Sequence, residues 1–456
     1  MQGTLYPKEN NVNYFSLEAL IPEEHFLKKV NKVVDLTFIT RITEGLYCPN
    51  NGRRSIAPEL YFRMILLSYL YSIKFTRKLI DEIRYNIVYR WFCGLTIHDK
   101  IPHHASLSRI KQRFKKAVFE NIFLNIVYQC QQAGLIEGRC VMTDSTFIQA
   151  NASLDSMKPI DESIPQKSRP SSSCKNTKWQ LSNKTHRSVT DPDATLAFKA
   201  GMARDLKYKA HVCCDSKRRV ITAIHITTGA THDSQPFKEL IKELNTRFSN
   251  SIKEVVADRA YGSGAILAFL KDYEINSFIP LFTTRSGNNC SEFEGITFDH
   301  TRKTYVCSNN VFFHASKVNS DEIITYRTRV KDCRYCPLSD ACQAPIVKGR
   351  GIRVISRHIH DDIFKQVKRQ METEIFKQKL RERLWKIEGV MNELKNHNGL
   401  LRAKYRGIEN IQIQAYMASI AINIKRLVFF ILLSICFKRS KSAIFYNRPG
   451  HHQSHD

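Results

Sequence analysis

Near residue 139 the hydrophobic pattern changes period, and that change limits the fold more than any other feature of the chain. Before it, apolar residues recur at helical spacing. After it come short runs rich in β-branched and apolar residues, RCVMTDSTFIQA, KYKAHVCCD and RRVITAIHITTG, separated by polar residues. Asp215-Ser216-Lys217 reads as a hairpin connection between the second and third runs. A helical pattern (SQPFKELIKELNTRF) follows, then KEVVAD as a strand, SGAILAFLKDY as a helix and INSFIP as a strand. Strand, hairpin, helix, strand, helix, strand predicts an α/β domain with a mixed sheet. The polar stretch 151–200, with SRPSSSCKNTK inside it, predicts a loop or insertion.

Residues 16–130 read as helical. PELYFRMILLSYLYSI has apolar residues on most positions, as in a helix buried on several sides. TRKLIDEIRYNIVYRWFCGL offers Thr76 as an N-cap, with Leu79, Ile80, Ile83, Ile87 and Val88 at helical spacing. A further start at Ser106 opens a helix bearing Arg109, Lys111, Arg113, Lys115 and Lys116. Such cations suit a helix-turn-helix-like DNA module, and they equally suit a helical bundle with a solvated basic face. The whole chain is basic: 70 Lys+Arg against 43 Asp+Glu give +27. That surplus points to a polyanionic partner, nucleic acid first and an anionic membrane surface second. Leu427 to Phe437 (LVFFILLSICF) falls short of the ~20 apolar residues that span a bilayer, so a buried or interfacial helix is expected there. The opening residues, MQGTLYPKENNVNYF, lack the pattern of a signal peptide. The 13 cysteines are unevenly placed and fit reduced thiols, so the expectation is a soluble, cytoplasmic protein without a membrane.

Three carboxylates stand out. Asp144 follows the apolar run leading into VMTDSTFIQA, where an isolated charge costs several kcal/mol or more unless paired or metal-bound. Asp258 ends the strand of EVVADRAYGSG, the position at which open α/β sheets bind ligands. Glu388 lies beside Ile387 on a helix whose apolar face is read as Leu380, Leu384, Ile387, Met391 and Leu394, ended by Asn398-Gly399. Each has an ordinary reading: a turn, a helix cap and a solvated helix border. Together they are what a divalent-ion site for phosphodiester chemistry needs, since Mg²⁺ prefers hard oxygen ligands.

In this order and context the sequence resembles the DDE transposases of bacterial insertion sequences, over nearly its whole length. SLEALIPEEHFLKKV and RRSIAPELYFRMILLSYLY resemble their helical N-terminal region, and PHHASLSRIKQRF the segment preceding the catalytic domain. VMTDSTFIQANAS is similar to the first-aspartate block, and SVTDPDATLAFKAG with LKYKAHVCCDS to the block after it. GATHDSQPF and VVADRAYGSG match the second-aspartate region, and EGVMNELK the glutamate helix, with seven residues from Glu388 to Lys395. The resemblance implies a ribonuclease H-like catalytic fold and Asp144, Asp258 and Glu388 as ligands of two Mg²⁺ (or Mn²⁺) ions. It implies cleavage of element ends and transfer of the 3′-hydroxyls to target DNA. The alternative is a catalytically inactive or domesticated DNA-binding descendant. Lys395 and Tyr261 are expected to face DNA near the cut, with Arg259, Lys207, Lys209, Arg109, Lys111 and Arg113 as further contacts. Members of the group often carry Tyr and Arg seven and four residues before the glutamate. Here those positions are Arg381 and Leu384, with Arg383 as a possible substitute.

Cys307, Cys333, Cys336 and Cys342 form the remaining constellation. They suit a structural Zn²⁺ site or reduced structural thiols, and more remotely a redox pair. VFFHASKV and EIITYRTRV, between Cys307 and Cys333, are read as a hairpin that brings its ends together. His232-Asp233 suggests a phosphohydrolase doublet but lacks the surrounding His and Asp ligands, and fits a polar turn better. The expected organisation is a helical DNA-binding domain over 1–135 and a catalytic domain over 136–440. The latter is interrupted by the 151–200 loop and a cysteine-containing insertion at 286–352, and a basic tail occupies 441–456. Double-stranded DNA, as terminal repeats and target, is the expected partner, bound by a homodimer.

Overall fold

The computed structural model describes residues 16–48, 51, 55–160, 181–199, 201, 203–281, 293–347 and 351–446. Residues 161–180 and 200 of the 151–200 stretch and residues 447–456 of the tail therefore lie outside the described residues. In chain order the helices used below are α1 (Phe26–Val33), α2 (Phe38–Thr43), α3 (Pro58–Leu70), α4 (Thr76–Tyr85), α5 (Ile87–Phe92), α6 (His104–Gln132), α7 (Phe237–Arg247), α8 (Gly264–Asp272), α9 (Asp361–Met371), α10 (Glu374–Asn392) and α11 (Ile408–Tyr446). The strands are β1 (Cys140–Gln149), β2 (Thr195–Ala197), β3 (Asp205–Asp215), β4 (Ile221–Thr228), β5 (Glu254–Val256), β6 (Asn276–Phe278), β7 (Ile296–Asp299), β8 (Thr304–Cys307), β9 (His314–Ala315), β10 (Ile323–Arg327), β11 (Ile346–Val347) and β12 (Ile352–His358).

Helical and mixed α/β regions fall where the change of period places them, but the compact units do not follow chain order. One unit comprises Met1–Glu137, Ser145–Thr231 and Gly389–Asp456; the other comprises Gly138–Asp144 and His232–Glu388. The sheet hydrogen-bonds in the order β2-β3-β1-β5-β6, with β4 also on β3. Strand β1 changes unit between Asp144 and Ser145.

In the first unit α6 packs against α11, with Phe123 stacked on Tyr416 at 5.4 Å between ring centroids. The pattern read as one helix from Thr76 is two: Asn86 interrupts it, its Oδ1 accepting from the Val88 and Tyr89 amides. Thr76 is the first helical residue after Phe75, and α6 starts at His104 with His103, not Ser106, as its cap. Strands β3 and β4 form the expected antiparallel hairpin. The outer edge of β4 is covered by α11. Gln412 accepts from the Ile226 amide at 2.7 Å and donates to the Ile224 carbonyl at 2.8 Å. Asn423 accepts from the Ile221 amide and donates to its carbonyl, both at 2.9 Å. Two side-chain amides thus do for an edge strand what a neighbouring strand would. Residues Ile408–Ser434 of α11 are long and apolar enough to cross a membrane, yet most of that window is buried inside this fold.

In the second unit the first half of β1, β5 and β6 are parallel. Helix α10 lies across all three strands. Phe376 meets Phe278 of β6 at 5.7 Å between centroids, Lys379 pairs with Glu254 of β5, and Arg383 pairs with Asp144 of β1. Its buried positions are Phe376, Arg383, Ile387, Val390 and Met391, so Arg383 occupies the face on which Leu384 was expected. Leu384 is exposed. The cysteine insertion adds the β7–β8 hairpin and a small antiparallel sheet ordered β9-β10-β12-β11. The hairpin expected between Cys307 and Cys333 is present as β9 and β10. Six buried side chains, Ile296, Tyr305, Phe313, Tyr326, Ala344 and Ile355, make its core.

Candidate functional site

The register of β1 and β5 fixes the two aspartates. Cys140, Val141 and Met142 pair with Glu254, Val255 and Val256. The pairing ends at Met142 and Val256, so Asp144 and Asp258 each come two residues after the last paired residues of adjacent parallel strands. β5 ends at Val256, two residues before Asp258. Burial along β1 changes at Asp144: Cys140 to Thr143 are buried, and Asp144 to Phe147 are half-buried. Asp144 therefore sits in mid-strand, at the point where the strand emerges beside the ligand-binding end of the parallel sheet.

Two local devices hold the carboxylates. Asp258 caps the short 3₁₀ turn Arg259–Tyr261, its Oδ1 accepting from the Ala260 amide at 2.9 Å. The loop beyond needs glycine for close approach: a Cβ on Gly262 would lie 2.6 Å from the Pro280 carbonyl oxygen, and one on Gly264 2.5 Å from the His360 ring. Asp144 accepts from an Arg383 Nη at 2.6 Å, and this ion pair is largely shielded from solvent. The carboxylate that looked costly in a strand is thus compensated by a guanidinium. The Arg383 Nε is buried with no hydrogen-bond partner.

Glu388 lies five residues beyond Arg383, about 140° farther round the helix, and is exposed. Among the described residues no three His, Cys, Asp or Glu side chains are grouped so that they could hold one metal ion. The donor chemistry of Asp144 and Asp258, hard oxygens, fits a hard divalent cation. The glutamate is not gathered with them into a ligand cluster in this structure.

The expected DNA contacts divide. Arg109, Arg113 and Arg259 are exposed. Arg113 stacks on Tyr47, 4.7 Å from the ring centroid. Lys111 is half-buried with its ammonium 3.2 Å from the Tyr405 centroid, and burial lowers its pKa to about 8. Lys395 is half-buried, and desolvation lowers its pKa from the ordinary value. Lys207 and Lys209 are corrected from surface to interior. β3 is buried on both faces, and their ammonium groups donate to the carbonyls of Ala203 (2.8 Å) and Thr231 (2.7 Å) beside the Phe147 ring. Tyr261 is likewise buried, packed on Phe237 at 5.3 Å between centroids, and does not face outward. Arg383, read from the sequence only as a possible substitute for the group's arginine, is the residue paired with Asp144. Its signal was there: it continues the buried helical spacing of Phe376, Ile387 and Val390.

The four cysteines are half-buried, free of disulfides, and line one cavity of about 340 Å³. Among the described residues, no three of them are grouped so that they could hold one metal ion.

A sheet ordered β2-β3-β1-β5-β6, with parallel strands followed by aspartates and crossed by a helix, is a ribonuclease H-like α/β fold. Residues 15–113 match the family model of a transposase domain (DUF772), and residues 306–428 match that of the transposase DDE domain. Two separate parts of the chain are thus similar to transposase family models. Glu388 falls within the second matched range, and Asp144 and Asp258 fall between the two. No curated protein matches the sequence. Among solved structures, a piggyBac transposase synaptic complex with hairpin DNA is similar at 10% identity, over 94% of this chain and 84% of that one, with a TM-score of 0.32. A pre-cleavage Mos1 transpososome (10% identity, 52% of this chain and 64% of that one) and a Mos1 mariner paired-end complex with Mn (12%, 52% and 64%) each have a TM-score of 0.17.

Proposed function

We propose that this transposase cleaves DNA at the ends of its element and joins the freed 3′-hydroxyls to target DNA, with Asp144, Asp258 and Glu388 as its metal-binding carboxylates. The observation that supports the proposal is that Asp144 and Asp258 each follow the last paired residues of two adjacent parallel strands, Met142 and Val256, by two positions. Two bound Mg²⁺ or Mn²⁺ ions would supply activation of the attacking oxygen and stabilisation of the leaving one. Arg383 orients the Asp144 carboxylate and keeps its charge tolerable before the ions and DNA arrive. The α10 face from Phe376 to Arg383 holds the helix against the sheet, and Glu388, exposed on another face, turns toward the aspartates when the ions bind. Exposed Arg109, Arg113 and Arg259, with Lys395, are the cations assigned to DNA phosphates. The protein works in the cytoplasm, as a homodimer bridging two element ends.

The test uses the whole chain and a duplex carrying the element's end. Asp144→Asn and Asp258→Asn each abolish cleavage with Mg²⁺ or Mn²⁺ while binding changes by only a few-fold, since phosphate contacts supply most of the affinity. Binding weakens steeply with added salt. Cleavage that survives Asp258→Asn removes the paired-aspartate reading, and cleavage that survives Glu388→Gln removes the glutamate alone. A wild-type chain that binds but never cuts returns the protein to DNA binding without catalysis.

A further inference from the structure

The four cysteines of the insertion lie apart from the carboxylate chemistry and have a geometry of their own. Cys307 ends β8, Cys333 ends the one-turn helix Val330–Cys333, and Cys336 and Cys342 follow in the turn and loop beyond. All four line the same cavity of about 340 Å³, and none is in a disulfide. A single zinc ion draws four sulfurs to about 2.3 Å from one centre. Here no three of them are grouped closely enough for one ion. Four thiols lining one common space suit a polynuclear centre, in which each thiolate binds its own metal corner.

We propose that Cys307, Cys333, Cys336 and Cys342 ligate a four-iron, four-sulfide cluster seated in this cavity. Its wall suits such a group. Ile296 and Phe313, from the insertion's core, line it together with Leu338 and give it an apolar wall. The Asn309 amide donates to the Cys336 sulfur at 3.7 Å, the kind of contact that stabilises ligating thiolates. Arg353 lines the same cavity and donates to the carbonyls of Ser339 (2.6 Å), Cys342 (3.3 Å) and Ala344 (2.8 Å). It pins the loop carrying the last cysteine and brings a positive charge to a centre whose four thiolates are negative. The role is structural: a subdomain whose core is six side chains gains a covalent fastening across segments separated in sequence.

The experiment is metal and acid-labile sulfide analysis of the whole chain, expressed with iron supplementation and purified anaerobically without chelator. The expected result is about four iron and four sulfide per chain, a broad visible charge-transfer absorption, and a Mössbauer spectrum of a tetranuclear cluster. Cys336→Ser loses the iron, whereas Cys93→Ser, buried in the other unit, retains it. Zinc near one equivalent without sulfide overturns the cluster in favour of a mononuclear site. Neither metal overturns any metal centre and leaves packed thiols. Should Cys336→Ser prove insoluble, the wild-type Mössbauer and sulfide measurements still decide.

Discussion

Arg383 and Lys404 show how differently a cation can be settled in the same chain. Arg383 is 8% exposed and has a carboxylate partner, Asp144, so its charge is compensated where it stands. Lys404 has no such partner among its described contacts. Its ammonium sits 4.3 Å from the Tyr69 ring centroid, and burial lowers its pKa from 10.5 to about 8. The ring attracts the charged form and offsets part of the desolvation cost. Below pH 8 both the folded and unfolded chains hold the proton, and the burial penalty is present in full. Between pH 8 and 10.5 the unfolded chain holds more protons than the folded one, so stability rises with pH through that window. Lys404→Met therefore raises the unfolding midpoint at pH 7, and the gain shrinks as the pH approaches 10.5. Thermal melts of both proteins from pH 7 to 10.5 check this; a gain that is constant with pH rejects the buried-lysine explanation.

Among the elements, α11 contributes most through two amides. Gln412 and Asn423 are buried, and between them they satisfy backbone groups at Ile221, Ile224 and Ile226 on the open edge of β4. Asn423→Ala leaves a buried amide and a buried carbonyl without partners, at about 1–3 kcal/mol for each group so orphaned. The expected readout is a lower unfolding midpoint and faster hydrogen exchange at the Ile221 amide, with Ile226 less affected; Gln412→Ala reverses that order. Unchanged exchange at both amides would mean that water replaces the side chains and the edge is not closed by them. These roles were not legible in the sequence, because Gln412 and Asn423 read simply as polar residues inside an apolar helix. The strands were legible, since β-branched runs such as VITAIHITT signal themselves by local composition. What local composition cannot say is whether the polar face of a strand is covered. Lys207 and Lys209 alternate as an outward face should, yet β3 is buried on both sides, and the two lysines end on backbone carbonyls. Asp144 and Asp258 were legible because each sits where an apolar run meets polar residues. The pairing of Met142 with Val256 just before them was not, since register is a property of two strands and neither sequence contains it alone.

Taken whole, the chain interleaves its parts, and that changes what a fragment can do. The expected helical domain over 1–135 belongs to a unit that also includes Ser145–Thr231 and Gly389–Asp456. The reason is physical: α6 buries Ile122, Phe123, Ile126 and Val127, and its partner in packing is α11, almost three hundred residues later in the chain. Tyr416 stacks on Phe123, and the Cys130 thiol lies 3.8 Å from the Asn423 carbonyl oxygen. Removing α11 exposes that face of α6 to water, at roughly 25 cal/mol for each Å² of apolar surface uncovered. A fragment of residues 1–135 therefore associates or unfolds, and its weak discrimination between element ends and random duplex would report that loss rather than the absence of a recognition surface. Supplying residues 389–446 in trans, or fused through a flexible linker, restores a cooperative melt and amide protection along α6. If the 1–135 fragment by itself is monomeric, melts cooperatively and prefers the element's end, then the N-terminal helices do not depend on α11, and the interleaving is one of contact without consequence for stability.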